Sequence, residues 1–418
     1  MRDYADIEQP TLRLFEGFGI ELEYMIVDAD TLSVLPVTDE VLKSFAGSYV
    51  SDVEEGEIAW SNELVLHVIE LKTNGPASSL EPLPDLFQRD LARIATALED
   101  LGGRLMPTGM HPWMDPATET QLWPHEYSPV YESFNRIFGC QGHGWSNLQS
   151  MHINLPFADD EEFGRLHAAI RLVLPLLPAL AASSPVVEGR IQPILDSRLE
   201  FYRKNARRVP SVSGQVIPEP AYTRAAYETD VLEPMYRDIA PHDPDGILRY
   251  EWLNARGTIA RFDRMALEIR VLDMQECPRA DLAIAALTTA AVRALVDNTW
   301  ASYESQKRWP VDRLARIFRS VLQDAEHARI HDHEYLEAFG LADNRDHTAQ
   351  EVWQHLADNL VFGTPVEAVW RPPLEIILGR GSLARRIVHA LDGDSSRDGL
   401  IDVYRRLCDC LEAGTMFE

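Results

Sequence analysis

Glu21 and Glu23 are separated by a single residue within the otherwise apolar segment Gly19–Val27. In a β-strand, residues two apart point to the same face, so both carboxylates would share one face while apolar residues form the other. Two carboxylates on one face repel each other unless a cation lies between them, and their hard oxygen atoms suit Mg²⁺ or Mn²⁺. The spacing therefore predicts a strand with a metal-binding face; a surface-facing polar row is the alternative.

Two later segments repeat this alternation of polar and apolar residues. The polar positions are His152 and Asn154 in Ser150–Leu155, and Glu268 and Arg270 in Ala266–Asp273. Three strands that each have one apolar face and one face of carboxylate, imidazole or guanidinium groups predict a sheet with a single charged face. Such a face has the ligand types that bind a metal ion and the phosphates of a nucleotide.

The segment Glu63–Thr73 has a less regular pattern. Glu63 and Glu70 are seven residues apart, so a regular strand would point them to opposite faces. Either a β-bulge lies between them or Glu63 precedes the strand. Both glutamates are candidate metal ligands.

Arginines supply candidate anion-binding groups. Arg256 and Arg261 lie in Asn254–Arg264, which we interpret as a loop leading into the strand that carries Glu268. Guanidinium groups bind phosphate and carboxylate oxygens through paired N–H groups. Exposed salt bridges are the alternative interpretation. Arg198, in Asp196–Tyr202, is a further candidate for anion binding, although acidic and basic residues are often paired in this way on helices.

Charge and motif content exclude several function classes. A formal net charge of −27 argues against nucleic acid as a partner, because phosphate binding needs clustered Lys and Arg. No lysine-containing Walker A loop and no G-x-G-x-x-G between a strand and a helix is present, so the common nucleotide-binding folds are not indicated. We expect small-molecule substrates, held by local cations.

The sequence also predicts a cytoplasmic protein. Residues 1–14 lack a basic stretch followed by an apolar one, as a secretory signal would have. The most apolar run, residues 172–187, is interrupted by three prolines and is short for a membrane span. Four cysteines in 418 residues do not form a disulfide framework, so we expect free thiols.

Periodicity places the four strand segments among helices and predicts an α+β fold. The predicted helices are Leu80–Leu101, Glu161–Ala182, Asp281–Ala301, Val311–Ala328 and Gly399–Leu411. Residues 207–220 form a long connection rich in Pro, Ser, Val and Gly, and we expect either a lid over the site or simple disorder there. We divide the chain into a catalytic core, residues 1–285, and a helical C-terminal region, residues 286–418.

Six motifs in this order resemble the second family of glutamate–cysteine ligases and related carboxylate–amine ligases. They are Gly19–Glu23, Glu63–Thr73, Gly109–Trp113, Met151–Asn154, Leu180–Pro185 and Leu267–Asp273. The resemblance covers Phe15 to Asp281 and implies a glutamine synthetase-like fold, a curved antiparallel sheet with helices packed outside. It also implies ATP, Mg²⁺ and an acyl-phosphate intermediate.

The resemblance further implies roles for individual residues. One metal would be held by Glu23, Glu70 and Glu63, and another by Glu21, His152 and Glu268. Arg256 and Arg261 would contact ATP phosphates, and Arg270 the transferred phosphoryl group, with Arg270, Arg256 and Glu268 as the catalytic set. Asn154 and Arg198 would face the amino-acid substrate.

The expected activity is formation of γ-glutamylcysteine from glutamate, cysteine and ATP. The amine has no sequence signature, so a ligase with another acid or amine is an alternative. A phosphoryl-transfer kinase on the same core and a non-catalytic metal- or ligand-binding homologue are the others. The sequence does not define an oligomeric state and is compatible with a homo-oligomer.

Overall fold

The computed structural model describes residues 11–418 and contains one eight-stranded sheet and two small two-stranded sheets. The strands are β1 (Gly19–Asp28), β2 (Asp52–Glu55), β3 (Ile58–Asn62), β4 (Val68–Thr73), β5 (Gly103–Met106), β6 (Ser150–Pro156), β7 (Val186–Val187), β8 (Arg190–Ile191), β9 (Thr258–Arg261), β10 (Ala266–Asp273), β11 (Arg329–Ile330) and β12 (His347–Thr348).

Helices fill most of the remaining described chain. They are α1 (Thr38–Ala46), α2 (Leu83–Glu99), α3 (Pro116–Glu119), α4 (Ser128–Phe138), α5 (His143–Ser146), α6 (Asp160–Val173), α7 (Pro178–Ala181), α8 (Ser197–Asn205), α9 (Arg224–Tyr227), α10 (Glu233–Ile239), α11 (Pro278–Val296), α12 (Tyr303–Gln306), α13 (Val311–Asp324), α14 (His333–Glu337), α15 (Ala349–Leu360), α16 (Glu367–Arg380), α17 (Leu383–Leu391) and α18 (Arg397–Ala413).

The large sheet has the strand order β2-β3-β4-β1-β6-β10-β9, and β5 pairs with the end of β1. Its paired strands are antiparallel. The central position of β1 brings strands from distant parts of the chain beside each other, because β4 and β6 flank it. The α+β prediction, a large antiparallel sheet with helices packed outside, is confirmed.

The alternation in β1 produces the two faces that the sequence predicts. Ile20, Leu22, Tyr24 and Ile26 are fully buried in the main hydrophobic core. Helices α2 and α6 contact the sheet, and α11 packs against both of them. Since apolar side chains gain free energy when they leave water, this packing fixes which face of β1 points to the core. Glu21 and Glu23 therefore point to the opposite face.

Several element boundaries differ from the predicted ones. Strands β2, β3, β5 and β9 were not predicted, and the loop predicted at Asn254–Arg264 contains β9. The helix predicted at Glu161–Ala182 ends at Val173, and a 3₁₀ turn and α7 follow. Pro175 and Pro178 explain this break because proline lacks the N–H that an α-helix needs.

The segment expected to be either a lid or disordered, residues 207–220, is a packed connection. Val212 and Val216 are fully buried within it. The backbone N–H of Ala255 donates to the oxygen of Val212 at 2.8 Å, and that of Gly257 donates to Val216 at 2.7 Å. Because these contacts join the segment to the chain that enters β9, the lid hypothesis gains no support.

The predicted boundary at residues 285 and 286 falls inside α11, which is buried on most of its length. Buried residues of α13, α15 and α16 belong to the same hydrophobic core as the sheet. The division into two domains stays a prediction. Within residues 11–418, no helix has the length and apolar character needed to cross a membrane.

Candidate active site

The charged face of the large sheet is built by strand register. Glu23 of β1 lies directly opposite Glu70 of β4, and Glu21 lies between Lys72 of β4 and His152 of β6. Directly opposed residues in an antiparallel pair point to the same face, with their Cβ atoms about 5 Å apart. Three strands thus bring together paired residues whose positions in the sequence differ by 47 to 131.

Glu23, Glu63 and Glu70 form one cluster of potential ligands. Each offers an oxygen atom within 4.8 Å of the others. Glu63 lies between β3 and β4, so the alternative in which it precedes the strand is correct. Burial and the charges of Glu23 and Glu70 raise the pKa of Glu63 well above its ordinary value, and burial also raises the pKa of Glu23.

His152 belongs to a second, overlapping cluster. It shares this cluster with Glu21 and Glu70, and the ligand atoms again lie within 4.8 Å of one another. His152 Nδ1 donates to Glu21 Oε2 at 2.8 Å and lies 3.8 Å from Glu268 Oε1. Burial opposes a charged imidazole, but the hydrogen bond with Glu21 and the charges of Glu23 and Glu21 raise the pKa of His152 to about 9. Asn154 Nδ2 donates to Glu21 Oε1 at 3.0 Å.

Glu268 is the bridge from this acidic cluster to two arginines. Its Oε2 accepts from Arg261 Nη1 at 3.2 Å, and its Oε1 lies 3.1 Å from Arg270 Nε. Burial alone would raise the pKa of Glu268, but the charges of Arg270, His152 and Arg261 lower it. One side of the charged face therefore carries fixed positive charge beside carboxylates.

Arg256 and Arg198 are held by carboxylates outside these two clusters. Arg256 donates to both oxygens of Glu219, from Nε at 2.5 Å and Nη2 at 2.8 Å, and its side chain is 3% exposed. Arg198 donates from Nε to Asp273 Oδ1 at 2.5 Å, and both side chains are buried. The structure thus places Arg261 and Arg270, rather than Arg256 and Arg198, against the acidic cluster.

Sequence reasoning missed three polar residues of this face. Lys72 Nζ donates to Glu70 Oε1 at 3.0 Å and to Ser61 Oγ at 2.7 Å. The backbone N–H and hydroxyl of Ser150 donate to Glu23 Oε2 at 2.6 and 3.0 Å. Lys72 and Ser150 are each two residues from a predicted ligand, so the period-two rule would have found them. Ser61 is also two residues from a predicted ligand, Glu63, but the period-two rule does not connect them because β3 ends at Asn62.

The carboxylate-rich charged face occurs in a chain with a clear family assignment. The model of glutamate–cysteine ligase family 2 matches residues 17–360. The protein belongs to this family. The match confirms the resemblance found in the six sequence motifs, and it extends that resemblance from Asp281 into the helical C-terminal region.

A full-length relative of this family-2 protein is an uncharacterized protein of Archaeoglobus fulgidus. The two sequences are 30% identical over 399 residues, which are 96% of this chain and 99% of the relative. The alignment therefore spans nearly the whole of both sequences and continues past β10.

Two solved structures share the fold. The crystal structure of glutamate–cysteine ligase from Francisella tularensis in complex with AMP has a TM-score of 0.58 and 14% identity, covering 94% of this chain and 88% of that one. A bifunctional glutathione synthetase from Pasteurella multocida has a TM-score of 0.55 and 15% identity, covering 96% of this chain and 53% of that one. At these identities the likeness shows the fold alone.

Proposed function

We propose that the protein is an ATP- and Mg²⁺-dependent carboxylate–amine ligase, with glutamate and cysteine as its substrates. The observation that carries the proposal is the pair of overlapping carboxylate clusters beside Arg261 and Arg270, in a chain of glutamate–cysteine ligase family 2. A ligase that activates a carboxylate with ATP needs both metal ligands and cationic groups near the phosphates.

The donor set fits divalent cations. Glu23, Glu63 and Glu70 would hold one ion, and Glu21, His152 and Glu268 another. Glu70 lies within 4.8 Å of Glu21 and His152, and Glu268 Oε1 lies 3.8 Å from His152 Nδ1. Oxygen-rich sites with a single imidazole suit Mg²⁺ or Mn²⁺. The buried carboxylates of Glu23 and Glu70 and the half-buried one of Glu63 lie within 4.8 Å and repel each other, which the raised pKa of Glu63 reflects, and a bound cation would offset that repulsion. When bound, such an ion supplies positive charge that neutralises and orients phosphate oxygens.

Arginines would contribute the fixed positive charge. Arg261 and Arg270 extend from the Glu268 side of the face, where they can stabilise the charge that develops on a transferred phosphoryl group. Arg256 would contact ATP only after exchange of its ion pair with Glu219. Asn154 would contact the amino-acid substrate. Arg198 would support that contact while it stays paired with Asp273.

The reaction follows from these groups. A carboxylate oxygen of glutamate forms a bond to the γ-phosphorus of ATP, and the bond from that phosphorus to ADP breaks. The amine nitrogen of the second substrate then attacks the acyl carbon, loses a proton, and releases inorganic phosphate. The charged face would stabilise the negative charge in both steps, because its donors are preorganised in a partly buried site.

A different acid or amine is the second candidate. The Archaeoglobus fulgidus relative that aligns over nearly the whole chain has no named substrate, and no residue of the charged face is specific for a thiol.

The test is ADP release from ATP with Mg²⁺ and L-glutamate, with and without L-cysteine, followed by mass spectrometry of the product. We expect cysteine-dependent ADP release and γ-glutamylcysteine. Glu268→Gln should abolish turnover, whereas Glu375→Gln, an exposed glutamate of α16, should leave it unchanged. Turnover with other acids or amines would change the assigned substrates. A phosphorylated product without an amide would indicate a kinase. Absence of ADP release across a broad panel of acids and amines would overturn the proposal.

A further inference from the structure

Helix α8 brings two residues toward the charged face. Arg198 and Tyr202 are four residues apart, so they lie on the same side of the helix. Arg198 is fixed by Asp273 at the end of β10, and its Nη2 also donates to the backbone oxygen of Arg270 at 3.4 Å. Because Arg198 anchors this side of α8 on β10, Tyr202 is directed toward the same strand.

The hydroxyl of Tyr202 is buried without a partner. The residue is 8% exposed, and its hydroxyl oxygen makes no hydrogen bond to any of residues 11–418. Leaving a buried hydroxyl unpaired costs stability, so native structures seldom contain one without a functional or structural reason. The unpaired Tyr202 hydroxyl carries this loss of stability, and it lies at the edge of the charged face.

Charged groups surround this hydroxyl. Burial raises the pKa of Tyr202, and the positive charges of Arg270 and Arg198 oppose that rise. Since the effect of a charge falls off with distance, these two arginines lie near the hydroxyl. The contact geometry agrees, because Arg198 is one helical turn from Tyr202 and its Nη2 reaches the backbone oxygen of Arg270 at 3.4 Å.

The guanidinium group of Arg270 also has unused donors. Among the described residues, its side chain makes one hydrogen bond, from Nη1 to the backbone oxygen of Asn254 at a long 3.4 Å. Its Nε faces Glu268 as an ion pair at 3.1 Å without a hydrogen bond. A guanidinium group carries five N–H donors, so several are free to bind an added acceptor. Tyr202 and Arg270 together form a donor set that lacks its acceptor.

We infer that Tyr202 contacts substrate: its hydroxyl donates a hydrogen bond to an oxyanion that Arg270 also binds. The oxyanion is either a carboxylate of an amino-acid substrate or an oxygen of the phosphoryl group in transfer. Both are negatively charged acceptors that pair with a hydroxyl and a guanidinium group. This inference rests on the proposed function and adds a residue to its site.

The test compares Tyr202→Phe with Tyr404→Phe. Both changes remove only a buried hydroxyl that has no hydrogen-bond partner among residues 11–418, and Tyr404 lies in a separate hydrophobic cluster with Trp113 and α17 residues. We expect Tyr202→Phe to lower kcat/KM by about 10- to 100-fold, the usual cost of losing one donor to a charged acceptor. Tyr404→Phe should retain the wild-type value. Both variants should keep or slightly raise Tm, because each loses an unpaired hydroxyl.

The kinetic pattern identifies the acceptor. A raised KM for one amino-acid substrate at constant kcat assigns its carboxylate, whereas a lowered kcat at constant KM assigns the phosphoryl oxygen. If the wild-type enzyme is active and Tyr202→Phe retains its kcat/KM, the inference alone is overturned. A loss of activity with an equal loss of Tm would show a structural role and also overturn it. A wild-type protein that releases no ADP overturns the proposed function and this inference together.

Discussion

His152 on the charged face and three histidines of the hydrophobic core are equally buried but differ in charge. His67, His111 and His167 each bond one ring nitrogen to a backbone carbonyl, at 2.8, 2.8 and 2.7 Å. Burial lowers their pKa to about 4, 3 and 3. The pKa of His152 is instead raised to about 9 by its carboxylate neighbours, against the same burial.

This difference shows that burial alone does not decide protonation. A backbone carbonyl is a neutral acceptor, so it does not compensate a buried positive charge, whereas Glu21 and Glu23 do. The three core histidines therefore stay neutral, while the charged face concentrates negative charge that needs cations. That property makes the face, and not the core, suited to metal ions and phosphate.

The largest expected effect concerns the negative charge of the face. Glu23→Gln keeps the side-chain shape but removes one charge from the Glu23, Glu63 and Glu70 cluster. We expect turnover to fall on the order of 10³-fold, with a higher Mg²⁺ requirement, because one metal loses a charged ligand. Initial rates of ADP release over a Mg²⁺ series would measure both effects.

Glu375→Gln is the matched control, because it makes the same change on an exposed side chain of α16. Its rate should stay within about twofold of the wild type. Equal rates for Glu23→Gln and the control would break the proposed contrast between the charged face and the rest of the molecule.

The next effect concerns the Arg198–Asp273 pair, which is as buried as the core but charged. Asp273→Asn would leave the buried Arg198 without its ion-pair partner. We expect the free energy of unfolding to fall by about 3–5 kcal/mol, as for other broken buried pairs. Urea unfolding followed by circular dichroism measures this loss. A loss below about 1 kcal/mol would mean that the pair contributes no more to stability than a surface ion pair does.

The smallest effect is the acid sensitivity that each of the three core histidines confers. Their folded-state pKa values lie below the ordinary 6.5, so protons bind the unfolded chain preferentially and stability falls as the pH drops from 6.5 toward 4. Between pH 7.5 and 5 we expect a loss of about 2 kcal/mol for each histidine.

His67→Gln tests this expectation, because glutamine has no proton to gain in this range. Denaturant unfolding at both pH values should give a stability difference smaller than that of the wild type by about 2 kcal/mol. If the stability difference between the two pH values is the same in His67→Gln as in the wild type, His67 is not held neutral in the folded protein. His67 would then not differ from His152 in charge.

Period-two alternation predicted β1, β6 and β10 and the face on which their polar residues lie. It failed for β3 and β9, whose residues are mostly buried whichever way they point, so burial does not alternate along them. It also could not place Glu63, because a residue in a connection follows no strand period. The position of Glu63 depends on how β3 and β4 pair, because Glu63 lies in the connection between them.

Arg256 and Arg261 show a further limit of sequence reasoning. They are five residues apart and looked equivalent as phosphate ligands. In the folded protein, Glu219 holds Arg256, while Arg261 reaches Glu268. Glu219 is 37 residues from Arg256, so no local pattern connects them.

The sequence by itself determined the family, the two faces of β1 and the chemical types on the charged face, because alternation and motif order are local properties of the chain. Only the tertiary structure decided which carboxylates share a cluster, which arginines remain beside them, and that the Tyr202 hydroxyl has no partner. Those facts depend on strand register and on contacts between residues far apart in sequence. Such contacts form only when burial of the apolar face fixes β1 between β4 and β6.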